Sequence, residues 1–460
     1  MSNNTTYPSL DQFDRAYFLG IGGIGMSALA RYFKQLGWSV AGYDKTKTAL
    51  TIKLVDEGIE IHYSDWNNSI PEHYKNLEKT LVIYTPAIPK NLGELLYFQH
   101  YNFSLFKRSE VLGIITQSTK GIGVAGTHGK TTTSAMLAHI FNETDHKCTA
   151  FLGGISSNFN SNLLINTDSA FTIIEADEFD RSFLRLRPFS SIITSTDPDH
   201  LDIYGDSKTF TEGFELYANL NSAAGVVVQK YGLNLSTQAK SITYAIDIPE
   251  ADYCGKDVRV EDGKFLVDVK IPAINWAAVE IGIPGIHNAE NAVACIALCT
   301  FLGLTEKEIR YGLKTFRGVK RRFEYQVKSQ NLIYIDDYAH HPTEIHSFLA
   351  SVKMMYPNQK ITGVFQPHLF SRTRDFFNGF VQELSLLDEV ILLPIYPARE
   401  EPIDGVTSDA LLQKITSPDK KCLSSLETIA LLSERKSGVF LTIGAGDIDR
   451  IVEPLKNAWS

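Results

Sequence analysis

The sequence predicts an α/β protein of three consecutive domains, each a mainly parallel sheet with helices on its faces. Three observations carry this. Strand-type and helix-type patterns alternate along nearly the whole chain, as βαβ units require. The pattern restarts at Gly121 and again after Arg322. A length of 460 residues suits about three domains of roughly 100–200 residues.

The first unit opens with an apolar run at 16–19, then glycines, then helical spacing over 26–36, with further strands at 40–43 and 80–84. The second has a strand at 122–125, a helix at 130–141 and strands at 171–175 and 191–195. Between 222 and 284 the chain is more β-like, with turns such as Glu261-Asp262-Gly263, and reads as an insertion. The third has strands at 332–335, 361–365, 389–393 and 438–443 with helices between them. Boundaries fall near 112–120 and 317–322. They give a Rossmann-like domain at 1–115, a P-loop-type ATPase domain with a β-rich insertion at 116–318, and a second Rossmann-like domain at 319–460.

With 44% hydrophobic and 21% charged residues, the chain can bury several cores. A formal charge of −9 provides no global basic field for nucleic acid or anionic lipid. Phosphate-bearing ligands must then be held by local devices. The start, MSNNTTYPSLDQFD, lacks a signal peptide's basic and apolar regions, and the stretch 16–30 is too short to span a bilayer. A cytoplasmic protein without stable membrane insertion is expected, with homo-oligomerisation left open. The 5 cysteines are odd in number and form no CxxC, which argues against a disulfide framework or a zinc site.

Gly20-Ile21-Gly22-Gly23-Ile24-Gly25 fits GxGxxG between a strand and a helix, and Asp44 ends the next strand. The glycines let backbone N–H groups approach a diphosphate, whose charge the helix N-terminus favours. NAD is one ligand with a diphosphate and a ribose; a UDP-sugar is another. Asp44 could accept from the ribose or from uracil N3–H.

Gly123-Val124-Ala125-Gly126-Thr127-His128-Gly129-Lys130-Thr131 is a second glycine loop at a strand–helix junction. It departs from GxxxxGK[ST] in carrying glycine at 126 instead of 124. The physical parts of an ATP loop are nevertheless present. Backbone N–H groups surround the phosphates, Lys130 reaches their oxygens, and the Thr131 hydroxyl can bind Mg²⁺. Glu175 and His200 follow two later strands, where ligands gather in doubly wound sheets. Glu175 is a hard oxygen ligand suited to Mg²⁺, and His200 can complete a second metal site.

Taken in order, GIGGIGM (20–26), GTHGKTTT (126–133), EADEFDRSFL (175–184), DPDHLDIY (197–204), GIHNAEN (285–291), KRRFE (320–324), DDYAHHPTEI (336–345) and FQPHLFSRTRDF (365–376) resemble the Mur ligase family of peptidoglycan synthesis. The resemblance runs from residue 20 to about 450. It implies an ATP-dependent ligation in which the lactyl carboxylate of UDP-N-acetylmuramate becomes an acyl phosphate and is then attacked by the amine of L-alanine.

The family's residue roles fall on this sequence as follows. Gly20, Gly22, Gly23, Ile24, Gly25 and Asp44 hold the UDP-sugar. Gly126, Thr127, His128, Gly129, Lys130, Thr131 and Thr132 hold ATP, joined by Asn288, Asn291, Arg322 and the ribose-binding Asp337. Thr131, Glu175 and His200 serve Mg²⁺. Lys130, His200 and Arg322 are the catalytic set, and Tyr338, His340 and Arg372 form the alanine pocket, with Arg374 a further candidate. Domain closure is expected, because Arg322 and Asp337 belong to a different domain from Lys130.

Three departures stand out. Leu369 replaces an arginine that some relatives carry after FQPH. Phe214 stands where other branches have a carbamylated lysine, with Lys208 out of register. Asp65 occupies the place of a uridine-side histidine. Arg321 and Arg322 also read as a solvated linker, and Arg372 and Arg374 as a charged surface turn. Three other readings compete: a ligase recycling a tripeptide onto the same UDP-sugar, an NAD-dependent oxidoreductase built on Gly20–Gly25, and a nucleotide-binding switch that holds or hydrolyses ATP with no dependence on an amine.

Overall fold

The computed structural model of the chain describes residues 9–65, 70–197, 201–272, 274–398 and 400–460. The first sheet comes from β1 (Arg15–Leu19), β2 (Ser39–Tyr43), β3 (Glu60–His62), β4 (Thr80–Tyr84) and β5 (Leu105–Lys107), in the order β3-β2-β1-β4-β5. All its pairings are parallel. Helices α1 (Ile24–Gln35), α2 (Ala49–Asp56), α3 (Gly93–His100) and α4 (Arg108–Gln117) supply the connections. Strand order reverses at β1/β4, the place where such a sheet opens a crevice at its carboxyl edge. The near-continuous burial of β1 and β4 follows from helices on both faces.

The central sheet has ten strands, ordered β15-β14-β13-β12-β11-β10-β6-β9-β7-β8. Its half around the second glycine loop comprises β6 (Lys120–Ala125), α5 (Lys130–Asn142), β7 (Thr149–Ser156), β8 (Ser161–Leu164), β9 (Phe171–Glu175) and β10 (Ser190–Ile193). The remainder is α6 (Leu201–Tyr204), α7 (Ser207–Ala218), β11 (Val226–Lys230), β12 (Lys240–Ile246), β13 (Tyr253–Glu261), β14 (Lys264–Lys270), β15 (Asn275–Ile281), α8 (Ile286–Phe301) and α9 (Glu306–Thr315). The expected β-rich insertion is therefore the extension of one sheet beyond β11.

Residues Tyr32, Phe33 and Phe151 join a core that runs from the first sheet into the central one. Asn162 on β8 donates to Ile24 O at 2.5 Å and to Ser27 Oγ at 2.9 Å, and accepts from Arg31. Arg31 also forks onto Glu57 at 2.6 and 2.9 Å. The helix that follows the first glycine loop is thus fastened to the central sheet by fully used polar groups, as burial demands.

The last sheet runs β16-β17-β21-β18-β19-β20. Its strands are β16 (Glu324–Lys328), β17 (Leu332–Asp337), β18 (Ile361–Phe365), β19 (Glu389–Leu392), β20 (Asp419–Cys422) and β21 (Gly438–Ile443). Only β16 is antiparallel, with an irregularity between Tyr325 and Val327. Helices α10 (Pro342–Met355), α11 (Phe370–Asp375), α12 (Phe377–Leu384), α13 (Ser408–Lys414), α14 (Ser425–Ser433) and α15 (Val452–Trp459) complete it. Three-domain α/β architecture is what alternation along the chain predicted.

Contact density divides the chain into two compact units: 1–256 with 268–279 and 290–316, and 257–267 with 280–289 and 317–460. Among the described residues no helix is long and apolar enough to cross a membrane.

Candidate active site

In the first unit, the backbone N–H groups of Gly20 and Ile21 donate to Tyr43 O at 2.8 and 3.0 Å, tying the glycine loop to the end of β2. Asp44 Oδ2 accepts Gly22 N at 2.7 Å and Oδ1 accepts Thr46 N at 3.0 Å. Gly20 has φ +87°, and a Cβ on it would lie 2.6 Å from Thr85 Cγ2, so glycine is required twice over. Asp65, the departure noted above, accepts Gly93 N and Glu94 N at the start of α3.

Register brings three strand ends of the central sheet level: Val124 lies opposite Glu175, and Ala125 opposite Ile193. The second glycine loop, Glu175 and the segment 194–197 therefore share the carboxyl edge. Gly126 has φ +131° and Gly129 φ +81°; a Cβ on Gly126 would meet Thr194 Oγ1 at 2.1 Å, and one on Gly129 would meet Asn291 Oδ1 at 2.9 Å. Asn291 is therefore beside the loop. Thr127 Oγ1 donates to Asp197 O at 2.7 Å and His128 N to Ser195 Oγ at 2.9 Å. His200 lies outside the described residues.

Lys130 Nζ donates to Gly126 O at 2.6 Å, to Thr127 O at 3.3 Å and to Glu178 Oε1 at 2.8 Å. Glu178 was not among the expected site residues. Its side chain is only 3% exposed, and its Oε2 is buried without a hydrogen-bond partner among the described residues. Burial raises its pKa against the opposing pull of Lys130. The motif quoted for the resemblance contains Glu178, but nothing local marks it as the lysine's partner.

Thr131 Oγ1 donates to Glu175 Oε1 at 3.1 Å, while Glu175 Oε2 accepts Gly153 N at 3.0 Å. Two hard oxygen groups thus meet at the start of α5. Among the described residues no group of three or more His, Cys, Asp or Glu could hold a metal ion. Mg²⁺ fits such a sparse set, because it keeps waters and phosphate oxygens as most of its ligands. Phe214 is fully buried against Phe183 and Phe210, and Lys208 is exposed beside Glu212.

The second unit gathers a separate cluster. Asp337 ends β17; its carboxylate accepts Phe323 N at 2.7 Å and Ala339 N at 2.8 Å. Burial pushes its pKa up to about 7, with the Arg322 charge opposing. Its neighbour Asp336 is structural, accepting Thr442 Oγ1 at 2.6 Å and facing Arg321 at 3.3 Å. Arg321 also donates to Gly444 O at 2.7 Å, which fixes it within the fold.

His340 is edge-on to Tyr338 at 5.3 Å and 6.3 Å from the His368 ring, which stacks on Tyr396 at 5.6 Å. Arg372 Nη1 lies 3.3 Å from His368 Nδ1. Tyr338, His340 and Arg372 are therefore brought together, with His368 as a member that sequence reasoning missed. Burial and the Arg372 charge lower His368 to about 4, so its ring is neutral near pH 7. Arg374 instead pairs with the adjacent Asp375 at 2.7 Å. Leu369 holds φ +71°, a strained setting that hands the chain into α11. Asn288, in the same unit, donates to Pro284 O at 2.6 Å and leaves Oδ1 buried without a partner among the described residues.

Asp337 supplies a pH test. A carboxyl raised from 3.8 to about 7 stabilises the fold fully below pH ~4 and loses that contribution as pH rises through 7. Chemical denaturation at pH 4.5 and 8 should show wild type losing about 3 kcal/mol relative to Asp337→Asn. A constant difference between the two proteins contradicts this.

A phosphate loop with its lysine and hydroxyl, a carboxylate at the next strand end and a separate glycine loop define an enzyme that brings ATP to a second nucleotide-bearing substrate. The chain belongs to the Mur ligase family: models of its catalytic domain, its middle domain and its glutamate ligase domain match residues 15–120, 124–299 and 321–446. It is 47% identical over 451 residues to a UDP-N-acetylmuramate–L-alanine ligase of Parabacteroides distasonis, covering 97% of each chain. It is 46% identical to the ligase of that name from Cytophaga hutchinsonii, again covering 97% of each. Among solved structures, a UDP-N-acetylmuramate–alanine ligase of Thermotoga maritima superposes with a TM-score of 0.83 at 28% identity, over 96% of this chain and 98% of that one. A murein peptide ligase of Psychrobacter arcticus, 22% identical with a TM-score of 0.69 over 96% and 98%, shares the fold.

Proposed function

We propose that this chain uses ATP to join L-alanine to the lactyl carboxylate of UDP-N-acetylmuramate, as a cytoplasmic step of peptidoglycan precursor synthesis. The supporting observation is Lys130 beside Thr131 and Glu175 at level strand ends, in a chain alike along 97% of its length to ligases named for that reaction. The tripeptide-recycling alternative has weaker support, since the murein peptide ligase is only 22% identical. The oxidoreductase reading leaves Lys130 and Arg322 without a task.

A carboxylate oxygen attacks the γ-phosphorus of ATP and the bond to the departing ADP oxygen breaks, giving an acyl phosphate. The alanine ammonium gives up one proton, its free amine attacks the acyl carbon, the nitrogen loses a second proton, and phosphate leaves with the C–O electron pair. The first step joins two anions, so cationic charge must gather on the phosphates. Lys130 and Arg322 supply it. Gly126, Thr127, His128, Gly129 and Thr132 surround the phosphates, Asn288 and Asn291 hold the adenine side, and Asp337 the ribose.

Thr131 and Glu175 would hold Mg²⁺, with His200 at a second ion; bound there, the metal neutralises phosphate charge. Gly20, Gly22, Gly23, Ile24, Gly25 and Asp44 take the UDP moiety. Tyr338, His340 and Arg372 form the alanine pocket, the guanidinium pairing with the amino-acid carboxylate.

ADP formation with ATP and Mg²⁺ should require UDP-N-acetylmuramate and L-alanine together. Release that needs the tripeptide, or that ignores the sugar nucleotide, sinks the proposal.

A further inference from the structure

Arg108 opens α4, directly after β5, at the carboxyl edge of the first sheet. Its guanidinium lies over the last glycine of GxGxxG: a Cβ on Gly25 would stand 2.0 Å from Nη1 and 2.9 Å from Cζ. Gly25 is absent from the positive-φ glycines, so a side chain there would act by pushing the flexible Arg108 guanidinium from this position. Among the described residues the guanidinium makes a single contact with a carboxylate, Nη2 to Asp177 Oδ2 at 3.1 Å.

Asp177 belongs to the segment that follows Glu175. A cavity of about 100 Å³ is lined by Gly25, Arg108, Gly153, Glu175 and Asp177, and so runs from the first glycine loop to the carboxylate beside Thr131. Sites for whole ligands occupy roughly 300–1,000 Å³, so this space suits one small acidic arm of a larger molecule. Arg108 is the only basic side chain among the described lining residues.

We propose that Arg108 binds an oxyanion of the sugar nucleotide, its lactyl carboxylate or its diphosphate, and that Asp177 holds the guanidinium in place until the substrate arrives; this rests on the ligase reading above. The chemistry favours exchange. An arginine fork takes carboxylate or phosphate through two parallel hydrogen bonds, whereas Asp177 supplies one. The internal pair is partly exposed on both sides, 24% and 39%, where ion pairs are weak. Asp177 keeps a partner after release, because its Oδ1 accepts Phe179 N at 3.1 Å.

The two residues should therefore respond in opposite directions. Calorimetric titration of the full chain with UDP-N-acetylmuramate, with the same nucleotide sugar lacking the lactyl group, and with UDP separates the two oxyanions. Arg108→Leu should weaken UDP-N-acetylmuramate binding about 10- to 100-fold, and Arg108→Lys less. Asp177→Asn should leave that affinity unchanged or tighten it several-fold. Loss confined to the lactyl-bearing ligand assigns the carboxylate; equal loss for all three assigns the diphosphate. ADP affinity in each variant reports that the fold and the ATP loop are intact.

The proposal is overturned if Arg108→Leu retains wild-type affinity, or if Asp177→Asn weakens binding as much as Arg108→Leu, since the pair is then purely structural. A wild-type chain that binds ADP but not UDP-N-acetylmuramate overturns the ligase reading itself, and this assignment with it.

Discussion

Lys130→Ala will lower kcat by a factor of at least about 10², and about 10³ if the lysine acts chiefly on charge that develops at the transferring phosphate. Its ammonium has three N–H donors, and all three are engaged: Gly126 O, Thr127 O and Glu178 Oε1. The lysine thus lies folded back on its own loop, and ATP must replace these partners with phosphate oxygens. A second effect accompanies the first. Without the ammonium, Glu178 is a carboxylate with 3% exposure and no cation beside it among the described residues. Orphaning a buried charge costs about 3–5 kcal/mol, lessened when the carboxyl takes up a proton, which its raised pKa favours.

Stability and turnover can be separated. Lys130→Ala combined with Glu178→Gln should recover much of the thermal stability while leaving kcat low. Measured turnover near wild type in either variant, at saturating ATP and Mg²⁺, would show that Lys130 does not act on the phosphates.

What the sequence displayed and what it hid differ in span. The glycine loops were legible because a strand, a tight turn and a helix N-terminus lie within a dozen residues, so local pattern carries their geometry. Strands β3 and β5 were not, since three residues leave no period to detect. β7 carries glycines at 153 and 154 that interrupt its pattern. The partners of the site residues were hidden for another reason. Lys130 and Glu178 are 48 positions apart, and Arg108 and Asp177 69; residue type names what a side chain can do but not which side chain it meets. The Asp336–Asp337 pair shows the same limit. One carboxylate braces Arg321 and Thr442 and the other holds Phe323 and Ala339, a division set by strand register and side-chain alternation.

One added methyl group beside Glu175 should have a large effect. Gly153→Ala will lower kcat about 100-fold, the order expected when a reacting constellation shifts by an ångström. A Cβ at this position would stand 2.1 Å from Glu175 Oε2, 2.4 Å from Oε1 and 2.4 Å from Cδ. The carboxylate must swing away, and its 3.1 Å contact with Thr131 Oγ1 goes with it. Gly153 is not among the positive-φ glycines, so alanine is tolerated by the backbone, and within a strand it restricts the unfolded chain more than glycine does. Thermal stability should therefore change little while activity falls, and the Mg²⁺ concentration for half-maximal rate should rise, as it should in Glu175→Gln. Equal losses of melting temperature and rate would instead mean that the methyl group disrupts β7 itself. An unchanged Mg²⁺ requirement alongside normal turnover would remove Glu175 from the metal site, because the added Cβ displaces its carboxylate directly.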